Sequence, residues 1–162
     1  MANFNMTQLK QILDGLPENI TVTFFATFAR FEYSLLRCDY FRAGRGKIAW
    51  ADWGKLENDL GVKFFNDVLK SGKASTLIDD PPKTLLVQNN SVAFGPSPEP
   101  VKDTKRLIKA AQQVRNNLFH GNKMYAADRG RDVRLLSEVL WVLDFVMIRL
   151  PQIRNAFDEP QQ

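Results

Sequence analysis

Apolar residues recur along most of this chain at intervals of three and four, the spacing that gathers side chains on one face of an α-helix. Phe24, Phe28, Phe31 and Leu35 form one stripe, with Phe25, Ala29 and Leu36 further round. Leu107, Ala111, Val114 and Leu118 form a second, flanked by Ile108 and Phe119. Leu135, Leu136, Val139, Leu140, Val142, Leu143, Val146, Met147 and Leu150 form a broad core face near the end. With Gly15, Pro17, Gly72, Gly121 and Pro151 as stops, the pattern predicts helices over residues 6–15, 18–41, 53–71, 101–120 and 130–150. Asp52 is the expected N-cap of the third. Between residues 73 and 99 the helical period is lost, and five of the eight prolines fall between Pro81 and Pro100. There, residues 84–87 and 91–94 flank Asn89-Asn90 and suit a small hairpin. The expected fold is all-α: one domain over residues 1–162, a bundle of about five helices. A Pro-rich irregular segment or small hairpin separates helices three and four.

Composition narrows the class. With 162 residues, 44% hydrophobic and 25% charged, the chain suits a single globular core. Cys38 is the sole cysteine, which excludes a disulfide scaffold and points to the cytoplasm. The first residues lack the basic-then-apolar order of a signal peptide. The longest apolar run, residues 139–148, contains Asp144 and is too short to cross a bilayer, so no membrane partner is expected. A net charge of +4 is compatible with a polyanionic partner without establishing one.

The candidate chemistry centres on VRNNLFHGNK, residues 114–123, which holds the only histidine, His120. Histidine exchanges protons near neutrality, and the guanidinium of Arg115 is shaped to grip a phosphate. The plainer alternative makes Arg115 a buried ion-pair partner and His120 a helix C-cap residue. Helical angles aim Arg115 toward the apolar side, where it needs an acceptor. Glu32 and Asp39 both point from the aromatic second helix, and Glu32 is the expected partner. Such a pair serves a site or merely orients two helices. The opposite face carries Lys105, Arg106, Lys109, Gln113 and Asn116, with His120 projecting the same way. Lys123, Arg129 and Arg131 follow, so Lys109, Lys123, Arg129 and Arg131 make a basic surface that is either a candidate contact for a phosphodiester or simply a solvated face. No paired cysteines, second histidine, nucleophilic triad or phosphate-binding loop accompanies them, so no metal or cofactor is expected.

Residues 115–120, Arg-Asn-Asn-Leu-Phe-His, fit the R-x4–6-H signature of the HEPN superfamily. The upstream FARFEYSLLR with Glu32, the ADW before the third helix and the PPK before the fourth also resemble a bacterial and plasmid-encoded group of that family. The resemblance spans most of residues 23–150. It implies a helical bundle, often a homodimer, and in many members a metal-independent endoribonuclease that cuts RNA through the ribose 2′-hydroxyl. Many such proteins are toxins or defence effectors restrained by a cognate antitoxin. Others are noncatalytic modules that bind RNA or protein. Matching positions are Arg115, Asn116 and His120, with Glu32 as a supporting acid. One histidine serves two proton transfers poorly, so the resemblance implies a dimer with two Arg–His pairs at one cleft. Trp141, Phe145 and Ile148 interrupt the solvent face of the last helix. They form an interface or pack against residues 73–99.

Overall fold

Pro17 starts the first long helix, α1 (Glu18–Arg37), by offering its carbonyl to both the amide and the hydroxyl of Thr21. A computed structural model of the chain describes Leu13 and residues 15–119 and 128–159. The helix expected over residues 6–15 therefore lies outside the described residues, apart from Leu13 and Gly15. Phe24, Phe28, Phe31 and Leu35 form the buried face of α1 as the periodicity requires. The helix stops at Arg37 instead of running to residue 41. Asp39 adopts a left-handed φ of 61°, and the amides of Cys38 and Tyr40 both return to the Leu35 carbonyl at 3.1 and 3.0 Å. This closure usually employs glycine; aspartate is among the few other residues that tolerate it.

The chain then forms a hairpin, β1 (Phe41–Ala43) with β2 (Ala49–Ala51), across a 3-10 turn at Arg45–Lys47. Helix α2 (Trp53–Ser71) follows, capped by the Asp52 carboxylate on the Lys55 amide and ended by Gly72 at φ 65°. It breaks at Gly61, whose φ of 62° and ψ of −173° suit glycine alone. The hydroxyl of Thr104 donates to the Gly61 carbonyl at 2.6 Å. Gly61→Ala should lower stability by about 1–3 kcal/mol from backbone strain, read as an earlier thermal melt. An unchanged melt would mean that α2 can run straight through this point.

A short helix, α3 (Ser75–Asp79), lies where periodicity predicts none. Its own N-cap side chain bonds nothing; the carboxylate of Glu138 accepts from the Thr76 and Leu77 amides at 3.1 and 2.7 Å. Strands β3 (Leu85–Gln88) and β4 (Ser91–Phe94) then pair about Asn89 and Asn90. Both asparagines have positive φ, as a two-residue hairpin turn demands. The fold is thus mostly helical but not purely all-α.

Helices α4 (Thr104–Phe119) and α5 (Arg129–Arg149) come next. Pro151 ends α5 but starts α6 (Pro151–Asp158), a helix the sequence reading missed. Arg30 holds the end of α6 by donating to the Phe157 and Ala156 carbonyls. Helix α5 is central, with Leu136, Val139, Val142, Leu143 and Val146 fully enclosed. Helices α1 and α6 pack on it and on each other, while α2 and α4 pair beside it. Trp141 stacks on Phe145, whose ring contacts Phe64 of α2 at 5.4 Å. Helix α2 thus supplies a ring contact to this stripe, while α3, within residues 73–99, also packs on α5. Ile148 stays exposed. No described helix is long and apolar enough to cross a membrane.

Candidate functional site

Arg115 sits on α4, and the helical period turns it toward α1, where Glu32 occupies the facing position. The guanidinium donates through Nη2 to Glu32 Oε1 at 2.6 Å and through Nη1 to Asn116 Oδ1 at 3.0 Å. Its carbon lies 5.3 Å from the centroid of the Phe28 ring, a cation–π distance. Phe28 is itself backed by Phe24 and Trp53 at 5.6 and 5.8 Å. The arginine therefore rests on an aromatic floor with a carboxylate and an amide at its edges. Side-chain exposures of 28% for Arg115 and 30% for Glu32 leave the pair reachable from solvent. Ion pairs this accessible contribute only about 0–1 kcal/mol to stability. Asp39, the alternative acid, instead forms the end of α1, and its carbonyl accepts from Lys55 Nζ.

The two neighbouring asparagines take different roles. Asn116 remains half-buried beside Arg115, whereas Asn117 is enclosed, donating to the Lys83 carbonyl and accepting from Gln113. Asn117 thereby fastens the proline segment to α4. The two walls enclose a groove of about 490 Å³: Pro81, Pro82, Pro98 and Pro100 face Lys109, Gln113 and Asn116. The polar face of α4 is legible in sequence; the proline wall opposite is not, because nothing local records which helix it covers.

The other basic candidates diverge. Lys109 is exposed on the groove. Arg129 pairs with the buried Asp132 at 3.4 Å. Arg131 donates to the carboxylate and carbonyl of Asp80 and to the Pro81 carbonyl, clasping the start of the proline segment. His120 and Lys123 lie outside the described residues. Among the described residues no three of His, Cys, Asp and Glu converge to hold a metal.

Comparison with protein-family models, with curated proteins and with solved structures finds no match to this chain.

Proposed function

We propose that the chain is a metal-independent endoribonuclease of HEPN type, acting as a homodimer, with Arg115 gripping the scissile phosphate and His120 moving protons. The observation that carries this reading is the solvent-reachable Arg115–Glu32 contact at 2.6 Å over a buried aromatic floor, five residues before the only histidine. An arginine needed only to join two helices gains little from partial exposure, whereas a phosphate ligand requires it. Asn116 and Glu32 position the guanidinium. The 2′-hydroxyl gives its proton to a base, its oxygen bonds to phosphorus, and the 5′-oxygen leaves with a proton. The ends are a 2′,3′-cyclic phosphate and a 5′-hydroxyl. Two histidines, one from each chain, divide the two proton transfers. The resemblance over most of residues 23–150 supports a role as a toxin or defence effector held by a cognate antitoxin, and the single cysteine supports a cytoplasmic setting.

The test is cleavage of labelled single-stranded RNA in excess chelator, with identification of the product ends. Cleavage should persist and leave cyclic phosphate, and His120→Ala should lower the rate by about 10²-fold or more. Mixing His120→Ala chains with parent chains should depress activity further than dilution does. Activity lost in chelator and restored by magnesium would overturn the mechanism. No cleavage from a folded parent dimer would leave RNA or protein binding as the function.

A further inference from the structure

We propose that the β1–β2 hairpin is a second binding site, for single-stranded nucleic acid. Trp50 serves as a platform for one base, and Arg42, Arg45 and Lys47 contact the flanking phosphates. The proposal goes beyond the arginine site and does not depend on cleavage there.

Charge comes first. Residues 40–51 contain these three cations and no acid. All three are exposed, and among the described residues none makes a side-chain ion pair or hydrogen bond. Arg131, Arg149 and Arg154, by contrast, each hold a carboxylate of the same chain. A cluster of unpartnered cations on a short ribbon suits a polyanion.

Aromatic placement comes second. Of the three tryptophans, Trp50 is the exposed one at 56%, while Trp53 and Trp141 are half-buried. Arg42 and Trp50 are directly opposed in the antiparallel register, so both side chains leave the same face of the ribbon. The indole is held: its Nε1 lies 2.1 Å from where a Cβ on Gly44 would sit, a space only glycine leaves. A ring backed by main chain on one edge loses little freedom when a base stacks on it.

The loop geometry presents the cations. The Gly44 amide bonds the Ile48 carbonyl at 2.7 Å, and Lys47 is held at φ 63°, an uncommon conformation for lysine. At the root, the Asp52 amide bonds the Tyr40 carbonyl at 2.8 Å, and the Tyr40 hydroxyl donates to Asp59 at 2.9 Å. Burial and that carboxylate push the Tyr40 hydroxyl up to about 12, so it stays protonated and the anchor holds at neutral pH. A membrane-inserting finger would carry apolar residues at its tip. Here the loop from Gly44 to Ile48 carries two cations, Arg45 and Lys47, against a single exposed apolar side chain, Ile48, and the exposed rings of Phe41 and Trp50 lie on the strands.

The experiment uses the full chain carrying Arg115→Ala, so that chemistry at the arginine site consumes no ligand. Labelled U12 and dT12 are titrated at low salt, following anisotropy and tryptophan fluorescence. Both should bind and quench. Trp50→Ala should weaken binding about tenfold, whereas Trp50→Phe should retain most of it. The triple variant Arg42→Gln, Arg45→Gln, Lys47→Gln should bind more weakly and flatten the log–log salt slope by about 2. Equal affinity for U12 and dT12 assigns recognition to phosphate and base; tighter U12 binding adds the 2′-hydroxyl; both support the site. If Trp50→Ala fails to fold, the triple variant and Trp50→Phe decide the matter alone. Unchanged binding in the triple variant overturns the proposal. So does a fluorescence response to phosphatidylglycerol vesicles with none to either oligonucleotide.

Discussion

Arg115→Lys should lower RNA cleavage by about 10²-fold or more, nearly as far as Arg115→Ala, while the fold survives both. The reason is geometric. The guanidinium reaches Glu32 and Asn116 through different nitrogens while its face lies over Phe28. A lysine ammonium is a point charge: it can satisfy Glu32, but it cannot also bond Asn116 and present a planar fork to phosphate oxygens. Positive charge is thus kept while direction is lost. Single-turnover cleavage of labelled RNA, beside thermal melts of the same samples, separates the two. Cleavage by Arg115→Lys at the parent rate would reduce Arg115 to a tie between α1 and α4. Glu32→Gln should have a smaller effect, because it keeps an acceptor for the guanidinium and removes only charge.

Phe28→Ala should cost about 3–5 kcal/mol, a large part of the roughly 5–15 kcal/mol that holds a domain together. Phe28 is 1% exposed and packs on Phe24 and Trp53, so its removal leaves a cavity that neighbouring rings cannot readily fill. The melting temperature should fall by about 10 °C. The same change removes the floor beneath Arg115, so cleavage by the fraction that remains folded should fall too. Phe28→Leu should recover most of the stability but not the cation–π contact. A melt of Phe28→Ala within about 2 °C of the parent would mean that this part of the core collapses around the gap.

The helical stripes and their caps were legible because they are local. Phe24, Phe28, Phe31 and Leu35 declare a buried face by spacing alone, and Asp52 and Gly72 mark the ends of α2. The facing of Glu32 and Arg115 was also legible, since each projects from an apolar face and neither has an opposite charge three or four residues away on its own helix. The end of α1 was not. Its left-handed residue is Asp39, which carries none of glycine's signal, so the aromatic run through Phe41 looked continuous. The β1–β2 hairpin was missed for a related reason: its three-residue strands are too short to display alternation, and backbone pairing holds them together.

Sequence by itself determined which segments coil, which faces seek burial, and that an arginine and an acid on different helices require each other. These follow from side-chain spacing and from the cost of leaving apolar surface wet or a charge unpaired. Tertiary structure decided what depends on contacts between distant residues. Glu138 caps α3 from 61 and 62 residues away, and Arg30 closes α6 from α1. Asn117 ties the proline segment across α4 to form the groove wall, and Phe64 of α2 covers the ring of Phe145. In each case a polar group or ring could have met several partners. Only the packed arrangement of the helices selects one, because bond geometry and close packing leave room for no other.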